Sequence, residues 1–212
     1  SVMTKGKKII AVSQFIKKHI IDNYAVDPSK IKVIHRGVDL EIFNEDRVSG
    51  QRLVDMKVKV PMPDDKFMVV MPGRVTPWKG HKVLFEAISR LKRKDICCLI
   101  VGDVTQKPGY YKELQDFIRE KKIEDRVIFT GDIKDMPTVY KLSDLVVVPS
   151  VEPEAFGRIP IEAQAMGKIV IASDIGGFKE TIIDKKTGYL FKSGNASDLV
   201  NVIEKAMQAS AK

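Results

Sequence analysis

The chain has 212 residues, 44% of them hydrophobic, which is enough for one sizeable core plus part of another. No apolar run in these residues reaches the ~18–20 that span a bilayer as a helix. The net charge of +8 favours anionic ligands, yet basic and acidic residues interleave throughout and the densest basic group, Lys92-Arg93-Lys94, closes a helix, where cations complement the dipole.

The opening residues, Ser1 to Ile10, are basic without the apolar stretch of a signal peptide and read as an internal boundary of a longer protein. Residues 8–12 predict a strand, Ser13 an N-cap, 14–24 an amphipathic helix, and 31–34 a second short strand that runs into His35-Arg36-Gly37-Val38-Asp39. Two strands and one helix cannot enclose a core. Residues 1–43 are therefore expected to be the remnant of an N-terminal domain and its junction. Residues 44–65 carry mixed charges, one helical stretch and Pro61-Met62-Pro63, and read as a linker.

Residues 66–212 alternate apolar, β-branched runs with amphipathic segments. Strands are predicted over 67–71, 96–101, 126–129, 145–148, 169–172 and 188–191. Helices are predicted near 81–92, 109–121, 136–142, 159–166 and 178–183, with a last one from Ala196. Strands that are apolar without alternation belong to a parallel sheet buried on both faces. The fold class that follows is α/β, a doubly wound, Rossmann-like sheet with ligands expected at the C-terminal strand ends. The only two cysteines, Cys97 and Cys98, are adjacent in one of these strands, so their side chains point to opposite faces and read as small buried hydrophobes of a reducing compartment.

Residues 150–167, Ser-Val-Glu-Pro-Glu-Ala-Phe-Gly-Arg-Ile-Pro-Ile-Glu-Ala-Gln-Ala-Met-Gly, are the most informative stretch. They follow a predicted buried strand, which puts Glu154 in the loop at its C-terminal end and Glu162 one to two turns into the next helix. Between the two carboxylates, the backbone N–H groups of Phe156, Gly157 and Arg158 gather at a helix start, where anions are favoured. A sugar nucleotide presents the matching chemistry, a pyrophosphate together with hydroxyls on hexose and ribose. After the first strand of the main domain, Gly73-Arg74 and Lys79-Gly80 bracket a second loop at the same sheet edge. A guanidinium fork and an ammonium there suit a pyrophosphate, and the glycines permit close backbone approach. No Gly-Lys-Ser/Thr stands where a P-loop requires it, and no strand is followed by Gly-x-Gly-x-x-Gly. Each charged residue taken singly is an ordinary surface group; their combination at one sheet edge is what carries information.

The spacing Gly73-Arg74…Lys79-Gly80, the pair Glu154 and Glu162, and the turn Gly176-Gly177-Phe178-Lys179-Glu180 followed by Thr187-Gly188 resemble the C-terminal, nucleotide-sugar-binding half of a GT-B glycosyltransferase of the large retaining family 4. Residues 11–39 resemble that family's domain junction. The resemblance implies that Arg74 and Lys79 hold the diphosphate as the glycosidic bond breaks, that Glu154 accepts from sugar hydroxyls, and that Glu162 takes both ribose hydroxyls. It implies that Gly73 and the backbone of Phe156, Gly157 and Arg158 line the donor site, with Ile133 at the base pocket. Arg158 stands where a small or apolar residue is expected, its side chain directed either to phosphate or outward. The implied donor is a UDP-, GDP- or ADP-sugar, with no cofactor and no metal, since no Asp-x-Asp is present. The implied acceptor is a hydroxyl on a glycoconjugate such as the lipopolysaccharide core, reached from the cytoplasm or the inner membrane face. The missing N-terminal domain would carry acceptor groups, so the chain alone is expected to bind donor and transfer poorly. A non-catalytic nucleotide-binding module using the same cleft is the alternative. Nucleic acid is not expected as a partner, because aromatics make up 7% of the chain and do not interleave with basic residues.

Overall fold

The computed structural model describes residues 5–210. The first four residues of the predicted boundary segment lie outside that range. At the front of the chain, β1 (Ile9–Ala11) and β2 (Ile31–Val33) pair in parallel, joined by α1 (Gln14–Asn23). Ser13 caps α1 as expected, its hydroxyl accepting from the Ile16 N–H at 3.0 Å. The buried hydrophobic residues here are Ile9, Ala11 and Ile31, with Ile16 and Ile20 packed against them. So small a cluster leaves this piece leaning on its neighbours.

The segment read as a linker is folded against the main sheet. It forms α2 (Gly50–Lys59), in which Leu53, Met56 and the following Val60 share the inward face at helical spacing. Val48 just before α2, Met56 and Val60 are all buried.

The six apolar runs form one all-parallel sheet from β3 (Phe67–Pro72), β4 (Ile96–Val101), β5 (Val127–Gly131), β6 (Leu145–Val148), β7 (Ile169–Ser173) and β8 (Tyr189–Phe191). Its spatial order is β5-β4-β3-β6-β7-β8. The connecting helices are α3 (His81–Arg90), α4 (Pro108–Lys121), α5 (Met136–Lys141), α6 (Arg158–Ala165) and α7 (Phe178–Thr181), and α8 (Ala196–Ser210) follows the last strand. Alternate strand residues serve different layers. Val69, Met71, Cys98, Ile100 and Val147 pack with the layer of α3, α4 and α8, whereas Val70, Cys97, Leu99 and Val146 face α2, α5 and α6. The two cysteines are free and buried on opposite faces. The doubly wound class is thus the fold observed. Shifts are confined to element ends: a 3-10 turn at Glu124–Arg126 delays β5, and α7 stops at Thr181 because Ile182 is already extended.

The strand order places a topological switch beside β3. From β3 the chain runs outward to β4 and β5, then returns to the other side as β6. Ligands of such sheets bind in the crevice outside the strand ends at this point.

His81 opens α3 fully buried, and neither ring nitrogen has a hydrogen-bond partner among the described residues. Burial pushes its pKa down to about 4, with the nearby Lys79 adding to the effect. An unfolded imidazole titrates near ~6.5, so between those values the unfolded chain binds a proton that the native state refuses. Stability from this site is unaffected above the unfolded value and falls as pH drops toward about 4, by about 3 kcal/mol in the limit. His81→Leu should therefore lose less stability than the parent between pH 7.5 and 4.5, measured by urea unfolding; parallel losses in the two proteins would contradict the assignment.

Candidate functional site

The C-terminal ends of β3, β4 and β5 bound a cleft of about 400 Å3. Gly73 and Arg74 supply its wall after β3, Gly102, Asp103 and Gln106 the wall after β4, and Asp132 and Ile133 the wall after β5. Backbone bonds stitch these loops together: Gly73 N–H donates to Val101 O and Gly102 N–H to Gly131 O, both at 2.9 Å. The far wall comes from Met136 and Tyr140 of α5 and from Ile159 and Glu162 of α6. Four of the residues singled out from sequence, Gly73, Arg74, Ile133 and Glu162, thus line one cavity.

Glu162 is nearly buried, and both its oxygens are engaged. The Tyr140 hydroxyl donates to Oε2 at 3.2 Å, and the Arg158 guanidinium lies 2.9 Å from Oε1. Burial, together with the adjacent carboxylate, holds the Tyr140 phenol far above its usual range, so it remains a proton donor at any physiological pH. The Arg158 side chain is 61% exposed, the outward of the two directions expected from sequence, and along that face it pairs with Glu162 one helical turn on.

Lys79 and Glu154 meet at the edge of this cleft, from loops after β3 and β6. Lys79 Nζ donates to Glu154 Oε1 at 2.6 Å, and the Ser150 hydroxyl donates to the same oxygen at 2.7 Å. The lysine side chain is 8% exposed and the glutamate 16%, so the pair sits largely out of water. Its stem passes Gly73, whose missing Cβ would stand 3.5 Å from Lys79 Cε. The charged groups expected to take a diphosphate and sugar hydroxyls therefore begin paired with each other.

Phe156 and Gly157 do not line the cleft with side chains. Phe156 is buried and stacks on His35 with centroids 5.8 Å apart, while Gly157 adopts φ of 86°. A Cβ on Gly157 would come within 2.5 Å of the Phe178 ring, so only glycine fits at this helix entry.

A clamp that sequence did not reveal joins the front of the chain to this loop. Glu180 accepts from the Gln14 and Phe15 N–H groups at 2.8 and 2.9 Å, and it lies 3.0 Å from His35 Nε2. Ser13 Oγ donates to Ala155 O at 2.5 Å. Burial would raise the Glu180 pKa, but the two backbone N–H groups and His35 outweigh it and hold the carboxyl below its usual value. This stabilisation is present above the ordinary carboxylate range and is lost as pH falls through the depressed value. The Gly176-Gly177 turn, named from sequence, carries Glu180 into place. No signal of periodicity or spacing could have found the partners, which come from the first fifteen residues and from His35.

Among the described residues no helix is long and apolar enough to cross a membrane, and no group of three or more His, Cys, Asp or Glu side chains could hold a metal ion.

A family model described as glycosyl transferases group 1 matches residues 55–212, and one described as Glycosyltransferase Family 4 matches residues 1–42. The chain is 32% identical over 206 residues to the D-inositol 3-phosphate glycosyltransferase of Salinispora tropica, a match covering 89% of this chain and 41% of that protein. Among solved structures, a glycosyltransferase from Rickettsia africae superposes with a TM-score of 0.93 at 40% identity, over 98% of this chain and 55% of the other. Anabaena Alr3699/HepE in complex with UDP-glucose superposes with a TM-score of 0.89 at 28% identity, over 99% of this chain and 57% of the other. The chain thus spans less than half of that curated relative and little more than half of the two solved chains.

Proposed function

The chain belongs to the group 1 glycosyl transferases, and from that premise we propose that it is the donor-binding half of a retaining GT-B enzyme that moves a hexose from a UDP-sugar to an acceptor hydroxyl. The observation that carries the reading is the arrangement at the switch point: Arg74 and Glu162 in one cleft, with the Lys79–Glu154 pair at its edge. On this reading the diphosphate takes Lys79 from Glu154 and is held between Lys79 and Arg74, without a metal. Glu154, released, accepts from the hexose hydroxyls. Glu162, steadied by Tyr140, takes the ribose hydroxyls, and Ile133 closes the base end of the cleft. Developing negative charge on the leaving diphosphate meets two fixed cations, which favour the transition state over the bound donor. The choice of uridine follows the UDP-glucose carried by the Anabaena neighbour.

Transfer itself is proposed to require the N-terminal portion that the longer relatives possess. Two acceptor chemistries deserve comparison in the full-length protein: the inositol phosphate named for the curated relative, and a membrane glycolipid such as lipopolysaccharide core, reached from the cytoplasmic face.

Calorimetric titration with UDP, GDP, ADP and their sugar conjugates tests the donor reading. Saturable binding of UDP and a UDP-hexose is expected, weakened about ten-fold or more by Arg74→Ala and by Glu162→Ala, as for loss of a charge-assisted contact. Absence of nucleotide binding by the full-length protein would overturn it. Binding without transfer to any acceptor would favour a regulatory nucleotide-binding module.

A further inference from the structure

Trp78 is the only tryptophan of the chain, and it occupies the middle of the loop that carries both cations of the donor site. Its ring is half-buried, with Lys79 Nζ 4.4 Å and Arg74 Cζ 5.4 Å from its centroid. Both distances lie within the ~6 Å over which a cation is attracted to an aromatic face. We propose that Trp78 is a positioning residue of the donor site, its indole holding Arg74 and Lys79 together before the diphosphate arrives. The proposal rests on the donor reading above and adds to it a residue with no polar contact of its own to the substrate.

Three observations carry it. First, Arg74 is exposed and makes no ion pair among the described residues, so the indole is the partner that restrains its long side chain. An unrestrained arginine would have to surrender that rotamer freedom on binding. Second, Lys79 is held from two sides, by Glu154 Oε1 at 2.6 Å and by the ring. When the diphosphate displaces the carboxylate, the ring still marks the position of the ammonium. Third, the ring is itself anchored. Trp78 sits in the 3-10 turn Pro77–Lys79, between a proline that sets the entry and Gly80 in the left-handed region. Its carbonyl accepts from the Val151 N–H at 2.8 Å, which ties it to the loop of Glu154. Two cations brought side by side repel, and the negative face of one indole offsets part of that repulsion.

The test compares UDP with uridine, which lacks the diphosphate, in the full-length protein. Trp78→Leu should weaken UDP about ten-fold and leave uridine unchanged, the loss expected for two cation–π contacts. Trp78→Phe, which keeps an aromatic face, should stay within about three-fold of the parent for UDP. Trp78→Met serves as a second non-aromatic variant should the leucine protein not fold, and circular dichroism checks each fold. The proposal fails if Trp78→Leu and Trp78→Met bind UDP like the parent, if uridine and UDP weaken together, or if phenylalanine is as damaging as leucine. Those outcomes leave the donor reading standing, because the parent still binds UDP. A parent that binds no UDP sinks both.

Discussion

Lys79→Ala is expected to abolish detectable UDP binding and to cost the folded protein about 3 kcal/mol. The two effects have one origin. Lys79 and Glu154 are mostly withdrawn from water, and among the described residues Glu154 Oε1 has Lys79 and Ser150 as its hydrogen-bond donors. Removing the ammonium leaves a desolvated carboxylate with a single hydroxyl, and breaking one side of a buried pair costs far more than the pair contributes intact. For a chain of this size each kcal/mol moves the unfolding midpoint by about 2–4 °C, so a fall of about 10 °C should be seen by calorimetry. Replacing both partners separates the roles. Lys79→Met with Glu154→Gln removes both charges and should recover most of the stability, because neither partner is left ionised and alone. The double variant should still fail to bind UDP. A singly substituted Lys79→Ala protein as stable as the parent would show that the pair is not desolvated as described.

Gly80→Ala is expected to be the most destructive single-methyl change in the site, costing about 3 kcal/mol or more and dislocating the donor loop. Gly80 has φ of 81°, where an L side chain is strained, and an added Cβ would lie 1.8 Å from the Pro149 carbonyl oxygen. No rotamer relieves that clash, since both atoms belong to or adjoin backbone. The loop after β3 must move away from the loop after β6, carrying Lys79 from Glu154 and Trp78 from Val151. Stability and UDP affinity should therefore fall together, read by urea unfolding and by titration of the same preparation. By contrast, Gly37→Ala meets nothing within 4 Å and should leave both quantities at the parental value. Equal behaviour of the two alanine variants would contradict the close approach of the loops.

How far the site could be read in advance depends on the kind of information each residue carries. The placement of Arg74, Lys79 and Glu154 at one sheet edge is legible because each lies in the loop directly after an apolar strand, and parallel strands deliver those loops to one edge; Glu162 follows on the helix after the second loop. Tyr140 was not legible as a site residue. It belongs to a six-residue helix with four consecutive buried residues, and only the packing of α5 against α6 turns its hydroxyl to Glu162. Arg158 stands out in the sequence, but its pairing with Glu162 depends on a rotamer choice. In residues 44–65 mixed charge and paired prolines give the sequence the character of a linker and mask the buried face of Leu53, Met56 and Val60.

The sequence by itself determined the local terms: which runs are strands, that both faces of the sheet are covered, and which polar residues follow the strand ends. Hydrophobic periodicity acts over a few residues and survives any rearrangement of distant chain. Only the tertiary structure decided the pairings. Lys79 meets Glu154 across 75 residues, and the Phe15 N–H meets Glu180 across 165. The first contact arises from the strand order, which brings β3 beside β6, and the second from the start of α1 meeting α7, which carries Glu180. A carboxylate in low dielectric must find a donor, but which donor reaches it depends on how the layers pack, and no spacing along the chain encodes that.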